Sequence, residues 1–476
     1  MLFNSGEFLF FFIFVYGLYL LSSHRWQNYL LLAASYLFYG SWDWRFLILI
    51  LFSTVVDYTA AIYIDRAREK GIEKRAKAWL LLSVSTNLGL LGFFKYYNFF
   101  AGSLMDLAGR FGVSLSPFTL NIILPAGISF YTFQAMSYTI DVYRGRQTPC
   151  KSLPDFTLFV AFFPQLMAGP IERAKELLPQ IENPRRVTQE DLIDGGWLIL
   201  WGLFKKVFIA DNLAPYTYWA FTMNRAQTSS DLYIASIAFV IRFYCDFSGY
   251  SDMALGLGRF FGVRLHRNFY LPYFSSNPTE FWNRWHITLS RWFRDYVYGP
   301  IRKEFSAYGA KTWAVLPTMF LVGLWHGANW TFVVWGTLWG AALLVHRLIQ
   351  PRLASFEERN PGTGRFMKWG GTILTFHMWI VIGLFFVNTN VHESFSDVCL
   401  LFSGFSASRY SKKDLYTVLY YSWPLVLMQF AQNRYGDLDV LKRLSLPLRV
   451  VIYCALLVLL MVNGAEHEQE FIYFQF

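Results

Sequence analysis

The chain has 476 residues, of which 55% are hydrophobic, 20% aromatic and 16% charged, and its formal net charge is +10. Soluble domains average about 25% charged residues, so a soluble fold of this size is excluded. The basic residues occur in short loops between apolar runs, a distribution typical of cytoplasmic loops in membrane proteins and not of a nucleic-acid-binding surface.

Apolar runs of membrane-spanning length recur from one end of the sequence to the other. The first run carries Glu7 where a signal peptide has positive charge, and it lacks a small-residue cleavage site, so it is predicted to be a retained span. Several runs fall short of the ~20 residues that a perpendicular helix needs, which predicts about ten to thirteen spans with re-entrant or interfacial segments among them. The predicted spans are 8–22, 28–40, 46–64, 79–100, 121–140, 156–169, 193–221, 232–257, 312–324, 328–349, 369–388, 414–430 and 447–463.

The loop after the third predicted span indicates the orientation of the chain. Residues 65–77, "DRAREKGIEKRAK", hold six basic and three acidic side chains, and an excess of basic residues marks a cytoplasmic loop. Counting back through three spans places the N-terminus in the periplasm. His24 and Arg25, two crossings earlier than this loop, then also fall on the cytoplasmic side.

Two apolar runs in the middle of the chain contain charged side chains. Lys205 and Lys206 stand in "WGLFKKVFIAD", where snorkelling near a helix end and an interfacial helix both explain them. In "YCDFSGYSDMALGLG", Asp246 interrupts a span together with Ser248, Tyr250, Ser251 and Asp252. Because buried carboxylates must be paired, Arg242 and Arg259 are the expected partners.

The segment from Arg259 to Lys311 combines many cations with tryptophan and tyrosine residues. This composition is typical of an amphipathic stretch at the level of the lipid headgroups. The segment is therefore predicted to lie at the cytoplasmic interface and to lead into the next apolar run.

That next run, "FLVGLWHGANW", places His326 in the centre of a sequence suited to the membrane interior. An ionisable side chain at such depth is costly and usually functional. Gly323 and Gly327 leave room for close approach by a helix or a substrate. Burial favours the neutral imidazole, which can accept a proton as a general base for hydroxyl attack on a thioester. The neighbouring aromatic and polar side chains are Trp325, Asn329 and Trp330.

His286 is the second candidate, in "TEFWNRWHITLSRWFRDYVYGP". It is accompanied at helical spacing by Asn283, Arg284 and Arg291, and catalysis and headgroup binding explain this cluster equally well. His377, in "ILTFHMWIV", is a comparison case for which a structural role is favoured, and His266 is assigned a headgroup or structural role. The sequence lacks the spaced ligands of a metal site, and the four cysteines have no paired spacing.

Six segments of the sequence resemble the membrane-bound O-acyltransferases, in particular the type that O-acetylates bacterial alginate. In chain order they extend over nearly the whole sequence, and their joint occurrence is more specific than any single motif. The segments are "LPAGISFYTFQAMSYTIDVYRG" (124–145), "FFPQLMAGPIER" (162–173), "CDFSGYSDMALGLGRFFG" (245–262), "NPTEFWNRWHITLSRWFRDYVYGPI" (277–301), "GLWHGANWTFVVWG" (323–336) and "FIYFQF" (471–476).

The resemblance implies a function and a mechanism. His326 matches the family's invariant histidine, and His286 matches its second functional position. The implied architecture is an all-α ring of helices around a tunnel. An acetyl donor, expected to be acetyl coenzyme A with no bound cofactor, enters from the cytoplasm. Periplasmic partner proteins resembling SGNH hydrolases then place acetyl on the polysaccharide. The side chains predicted to contact donor or substrate are Trp282, Asn283, Trp285, Arg291, Trp325, Asn329 and Trp330.

The sequence therefore predicts one integral inner-membrane domain over 1–476, with N-terminal helices in 1–115, a catalytic core in 116–400 and C-terminal helices in 401–476. Membrane lipids are expected partners and nucleic acid is not. Two alternatives remain open. The acylated polymer can be cellulose, peptidoglycan or teichoic acid instead of alginate. The protein can also be a transporter of an acylated carrier, since intramembrane polar residues mark translocation paths as well.

Overall fold

A computed structural model describes residues 1–223, 228–307, 310–404, 406–465 and 469–474 of the chain. In these ranges the chain consists of helices, turns and loops, with no β-strand, which confirms the predicted all-α class. Contacts divide it into two compact units. The first comprises Met1–Ile199 with Met253–His266, and the second comprises Leu200–Asp252 with Arg267–Phe476.

Ten α-helices precede residue 204. They are α1 (Gly6–Leu21), α2 (His24–Asp43), α3 (Leu47–Glu69), α4 (Glu73–Leu91), α5 (Tyr97–Arg110), α6 (Ile128–Tyr143), α7 (Leu153–Ala161), α8 (Phe163–Leu166), α9 (Ala174–Glu182) and α10 (Gln189–Leu203). A π-helical segment, Gly92–Tyr96, joins α4 to α5, and a 3-10 turn, Trp44–Phe46, joins α2 to α3.

The later α-helices carry the residues of the candidate site. They are α11 (Asp211–Phe221), α12 (Ser229–Phe260), α13 (Pro278–Arg284), α14 (Ile287–Phe293), α15 (Gly299–Ala307), α16 (Val315–His326), α17 (Trp330–Arg359), α18 (Gly364–Val387), α19 (Val391–Leu401), α20 (Ser411–Tyr435) and α21 (Leu446–Asn463). Two more π-helical segments are Phe204–Ala210 and Arg294–Tyr298. Further 3-10 turns are Pro272–Phe274, Lys311–Ala314, Pro361–Thr363, Val440–Arg443 and Ile472–Phe474.

Six helical stretches in the described part of the chain are long and apolar enough to cross a membrane. The chain is thus a multi-pass membrane protein, as predicted. The remaining predicted spans lie in shorter helices such as α1 and α16 or in less apolar ones such as α20. The six stretches are His24–Glu69, Glu73–Arg110, Ser229–Phe260, Trp330–Arg359, Pro361–Val387 and Leu446–Asn463.

Two predicted spans, 121–140 and 156–169, are not continuous helices. The chain is extended before α6, which begins at Ile128 after Gly127 adopts a left-handed backbone with φ of 72°. The second segment is divided into α7 and α8, where Phe162 turns the backbone and Pro164 follows. Hydropathy alone did not reveal these breaks because proline and glycine interrupted an otherwise apolar composition.

In the first unit, a buried carboxylate ties three helices together. Asp57 on α3 is fully buried and accepts hydrogen bonds from the Asn87 amide on α4 at 2.9 and 3.1 Å. Ser83 on α4 and Thr139 on α6 also donate to Asp57. Buried polar groups of this kind fix the register of the helices that they join.

In the second unit, α16 and α17 form a tightly packed hairpin. Their backbones approach most closely at Gly323 and Gly336, where a β-carbon on Gly336 would lie 2.8 Å from the Cα of Gly323 and would overlap the Met319 carbonyl oxygen. Small residues at a helix crossing allow this separation. The hairpin turns directly after His326.

The middle of the segment 259–311 does not lie at a surface as its composition predicts. Its middle part folds inward as the seven-residue helices α13 and α14, and Trp285 is buried with 1% of its surface exposed. The Trp285 ring stacks on Phe243 and Phe281 at centroid distances of 5.5 Å. A buried aromatic layer and a membrane interface have similar amino-acid compositions, so the sequence pattern did not distinguish between these two structures.

The hairpin crossing yields a stability prediction. Gly336→Ala should lower the free energy of unfolding by about 1–3 kcal/mol, the usual cost of overpacking. Gly383→Ala, in the buried interior of α18 with no atom within 4 Å of the added carbon, should be neutral or raise it by about 0.5–1 kcal/mol. Thermal unfolding of both detergent-solubilised variants measures the difference. Equal midpoints would show that the crossing tolerates a methyl group.

Candidate active site

His326 lies at the turn between α16 and α17. It is the last residue of α16, and 2% of its surface is exposed. A β-carbon on the following residue, Gly327, would overlap the Phe332 ring, so the turn leaves no space for a larger residue. Asn329 closes the turn by accepting a hydrogen bond from the Thr331 N–H at the start of α17. The imidazole is therefore held in the interior of the second unit by a closely packed turn.

Aromatic rings surround the His326 imidazole. The centroids of Trp335, Trp325, Phe386 and Tyr473 lie 4.8, 5.0, 5.5 and 5.7 Å from the imidazole centroid. The Tyr473 hydroxyl lies 3.3 Å from His326 Nδ1, within hydrogen-bonding distance. If the tyrosine oxygen accepts this hydrogen bond, the imidazole proton is on Nδ1. If the tyrosine hydroxyl donates it, the proton of the neutral ring is on Nε2.

His286 is held in a backbone conformation that few residues adopt. Its φ of 41° and ψ of 57° lie in the left-handed region, which costs a residue with a β-carbon about 1–3 kcal/mol. Backbone hydrogen bonds on both sides maintain it: Ile287 N–H donates to the Asn268 carbonyl at 2.9 Å, and Ser290 N–H donates to the His286 carbonyl at 2.9 Å. Strained residues that the surroundings enforce are concentrated at functional sites.

The two histidines share aromatic neighbours. His286 is fully buried, with its ring centroid 5.8 Å from that of Trp325 and 6.4 Å from that of Tyr473. Trp325 and Tyr473 are also neighbours of His326, so one aromatic cluster adjoins both imidazoles. His286 lies outside the six candidate spans, and burial lowers its pKa to about 3. Its imidazole is therefore neutral at physiological pH.

A cavity of about 400 Å³ is lined by residues that are close in sequence to the two histidines. Val322, one helical turn before His326, lines it, as does Ile287, directly after His286. Three cationic side chains line the same cavity, Arg291, Arg294 and Arg347. Neither histidine is part of the lining. The cavity thus combines positive charge with apolar walls on one side of the site.

The structure distributes the predicted contact residues over three places. Trp282, Asn283 and Arg291 line the cavity together. Trp325 and Trp285 belong to the buried aromatic layer around the histidines. The other two predicted residues lie at the turn.

At that turn, Asn329 and Trp330 have different surroundings from the cavity residues. Asn329 caps α17 and its amide donates to the Thr389 carbonyl at 2.8 Å. Trp330 has 51% of its surface exposed. Their contacts with a donor or a substrate remain predictions, and the geometry gives Asn329 a clear role in forming the turn.

The buried carboxylates of α12 pair with the lysines that the sequence left unexplained. Lys206 binds Asp246 at 2.8 Å and Lys205 binds Asp252 at 2.8 Å. The expected partner Arg259 instead binds Asp191 at 3.0 Å. Lys205 and Lys206 neither snorkel nor lie at an interface, because each is less than 5% exposed. The prediction of Arg259 as a partner was wrong because it considered only charges close in sequence, whereas the other predicted partner, Arg242, does act electrostatically on Asp246.

His377 and His266 have partners that are consistent with structural roles. His377 lies within hydrogen-bonding distance of Tyr233, with Nε2 2.8 Å from its hydroxyl oxygen. The ring nitrogens of His266 lie 2.7 Å from Glu172 and 2.8 Å from Glu176. These three residues place possible metal ligands within 4.8 Å of one another. Each ring nitrogen already faces a carboxylate oxygen, however, which is the pattern of a structural bridge.

Sequence reasoning assigned no role to three residues that the structure brings to the site. Tyr473 was noted only as part of the "FIYFQF" segment, and its contact with His326 joins residues 147 positions apart. Arg294 was part of the basic segment from Arg259 to Lys311 but was not singled out as a candidate. Arg347, at the end of an apolar run, was likewise not singled out, although it lines the cavity and donates to the Tyr298 hydroxyl at 2.9 Å. Arg291 and Arg294 are about one helical turn apart, and this spacing was the sequence signal that could have identified Arg294.

Comparison with known proteins gives consistent matches. The sequence profile of the membrane-bound O-acyltransferase family matches residues 147–389. A probable alginate O-acetylase of Pseudomonas aeruginosa is 44% identical over 80% of this chain and 71% of its own length. A peptidoglycan O-acetyltransferase of Helicobacter pylori is 34% identical over 83% and 78%. A teichoic acid D-alanyltransferase of Streptococcus thermophilus is 28% identical over 59% and 68%.

The lowered pKa of His286 predicts acid sensitivity. Because the unfolded histidine titrates near pH 6.5 and the folded one near 3, the unfolded state binds more protons between these values, and stability falls as the pH is lowered through 6.5. From about pH 7.5 to about pH 5.5 this histidine should cost about 1.4 kcal/mol. Thermal unfolding of wild type and His286→Gln at both pH values measures it. The variant should lose less stability, and an equal loss would contradict a buried neutral imidazole.

Proposed function

The chain belongs to the membrane-bound O-acyltransferase family, and from this membership we propose that it takes acetyl from acetyl coenzyme A in the cytoplasm and passes it across the inner membrane to an exported polysaccharide. As a family member the chain is an O-acyltransferase. Alginate is the proposed polymer because relatives named as probable alginate O-acetylases are 40% to 44% identical to it. The peptidoglycan and teichoic acid enzymes are more distant.

The observation that carries this proposal is the burial of His326 among aromatic rings beside the Tyr473 hydroxyl. A neutral imidazole in a dry site is a suitable general base for an acceptor hydroxyl. The hydroxyl oxygen attacks the thioester carbonyl carbon, and His326 accepts the hydroxyl proton. The carbon–sulfur bond then breaks and the proton passes to the leaving thiolate.

The contact between Tyr473 and His326 supports a defined tautomer for this base. When Nδ1 carries the ring proton, it donates to the Tyr473 oxygen, and Nε2 is the ring nitrogen that accepts a proton. A residue that fixes the second ring nitrogen in this way orients the imidazole as well. Tyr473 is therefore proposed as a positioning residue for His326.

His286 is proposed to position the donor. Its neutral ring can donate one hydrogen bond to the developing negative charge on the thioester oxygen. The strained backbone and complete burial of His286 support a role that requires a fixed side chain. Trp325 and Tyr473, which adjoin both histidines, would form the walls of the reacting region.

The cavity beside the histidines is proposed as the donor site. Coenzyme A carries several phosphates, and guanidinium groups are the side chains best suited to bind them. Arg291, Arg294 and Arg347 line the cavity, and the indole of Trp282 provides an apolar wall. The thioester would then extend past Trp282 and Val322 toward His326. An acetyl group is small enough for a narrow passage.

The charge distribution supports a cytoplasmic donor site and a periplasmic N-terminus. The excess of basic residues in 65–77 marks that loop as cytoplasmic. The segment that carries Arg291 and Arg294 also has an excess of basic residues, which supports a position on the cytoplasmic side. The acetyl group would leave on the opposite face, where SGNH-hydrolase-like partner proteins are proposed to transfer it to the polymer. Membrane lipids surround the apolar helices.

The catalytic role of His326 can be tested by substitution. His326→Gln should lower kcat for acetyl transfer by about 10²–10⁴-fold, the usual contribution of a general base, because glutamine keeps the volume and loses the basic nitrogen. Reconstituted vesicles supplied with labelled acetyl coenzyme A provide the measurement. His377→Gln is the matched control, since it removes another imidazole that faces a tyrosine hydroxyl.

The control should retain wild-type transfer. If His326→Gln, still folded, transferred acetyl as fast as wild type, the enzyme assignment of this site would be lost and the transporter hypothesis would regain support. Loss of transfer in both variants to the same extent would point to a general requirement for histidine–tyrosine contacts in folding.

The donor site can be tested with a thioester that lacks phosphates. Arg291→Gln should raise KM for acetyl coenzyme A by about tenfold, corresponding to about 1.4 kcal/mol of lost binding, and leave kcat nearly unchanged. KM for acetylpantetheine should not change, because that donor has no phosphate. Arg302→Gln, on exposed α15 and absent from the cavity lining, is the control. Equal effects of Arg291→Gln on both donors would exclude phosphate recognition by this arginine.

A further inference from the structure

A cluster of buried charges lies between the π-helical segment Phe204–Ala210 and α12. Lys206 Nζ is 2.8 Å from Asp211 Oδ1 and 2.8 Å from Asp246 Oδ1. The three residues are 3% to 4% exposed. Arg242 on α12 adds a second positive charge that acts on both carboxylates. Removing charges from water is costly, so a cluster of this kind persists where it is matched in charge and in hydrogen bonds.

The same charges hold a stretch of chain that has no long helix of its own. Residues 469–474, called here the 469–474 segment, form a loop and one 3-10 turn. Lys206 Nζ donates to the Gln469 carbonyl at 2.9 Å. Asp246 Oδ2 accepts a hydrogen bond from the Ile472 N–H at 2.8 Å. The two members of one ion pair therefore bind the first residue of this segment, Gln469, and Ile472, three positions later.

The residue directly after Ile472 is Tyr473, whose hydroxyl contacts His326. We propose that the Lys206–Asp246 pair is a positioning device for the reaction. It holds the 469–474 segment against α12 and thereby places the Tyr473 hydroxyl at the His326 imidazole. This inference rests on the proposed function of His326 and adds residues that contact neither donor nor acceptor.

The energetics favour charged groups for this task. Ordering each residue of a short irregular segment costs backbone conformational entropy. A hydrogen bond to an ionised partner is about twice as strong as a neutral one and is stronger still in the protein interior. Phe471 and Ile472 are each 2% exposed and add apolar burial. Burial holds the segment in place, and the two charge-assisted hydrogen bonds set its position along α12.

The chain offers a matched control for this proposal. Lys205, adjacent to Lys206 in the same π-helical segment, binds Asp252 at 2.8 Å and the Ser248 hydroxyl at 2.9 Å. Both of these partners lie on α12. The Lys205–Asp252 pair thus joins the same two elements through the same chemistry, but its contacts run to α12 and not to the 469–474 segment.

Two readouts test the proposal. Hydrogen–deuterium exchange of the peptide that contains Ile472 should become at least tenfold faster in Asp246→Asn than in wild type, because the carboxylate that accepts from this N–H is lost. In the transfer assay, Asp246→Asn should lower kcat at least tenfold and leave KM for the donor within twofold. Asp252→Asn should leave both the exchange and kcat within about threefold of wild type, with a comparable decrease in thermal stability.

A double variant then tests whether Asp246 acts through Tyr473. The double variant Asp246→Asn, Tyr473→Phe should transfer acetyl no more slowly than Tyr473→Phe alone. The Lys206–Asp246 pair is proposed to act through the Tyr473 hydroxyl, which is already absent from the single variant. Unchanged exchange at Ile472 in Asp246→Asn would overturn the proposal, as would additive losses in the double variant or equal effects of Asp252→Asn. If wild type transfers no acetyl, the proposed function fails, whereas the exchange result still decides whether the pair holds the segment.

Discussion

Pairing of polar groups that are removed from water is the constraint on which the second unit depends. A buried charge without a partner costs several kcal/mol, and a buried polar group without a hydrogen bond costs about 1–3 kcal/mol. At Lys206 and at His326 the chain meets this requirement by bringing together residues that are far apart in sequence. Lys206 reaches both Asp246 and Gln469, and His326 reaches Tyr473. The positions of the polar atoms are thus determined by tertiary contacts, and the apolar and aromatic side chains fill the space around them.

Aromatic packing complements these polar contacts at the candidate site. The rings around His326 and His286 shield both imidazoles from water, and at His286 this burial lowers the pKa and keeps the ring uncharged. Aromatic side chains are rigid and have two torsions, so forming a cavity wall from them costs little conformational entropy. The same layer continues through Trp285 and Phe281, which explains why a segment rich in cations and aromatics folds inward. Its tryptophans line the interior, and Arg291 and Arg294 are exposed at the cavity.

Local signals predicted part of this arrangement. His326 was recognisable because an ionisable residue in an apolar run between two glycines is unusual. Asn283 and Arg291, which line the cavity, stood out by their helical spacing around His286. The lysines that bind Asp246 and Asp252 were not predictable as their partners, since Lys206 is 40 positions from Asp246 (246 − 206) and Lys205 is 47 positions from Asp252. Tyr473 was out of reach for the same reason. The breaks at Gly127 and Phe162 were hidden because hydropathy averages over the residues that carry the backbone turn.

The length of α16 is consistent with the depth in the membrane that the proposed function requires of His326. Its 12 residues extend about 18 Å, whereas the hydrocarbon core of a bilayer is about 30 Å thick. A helix that enters from one surface and stops after this distance ends inside the membrane. Irregular backbone at that depth is tolerated only where protein covers it, and the Phe332 ring against Gly327 and the Asn329 cap provide that cover. In the proposed transfer from a cytoplasmic donor to the periplasmic side, a turn at this depth would place His326 between the two surfaces of the membrane.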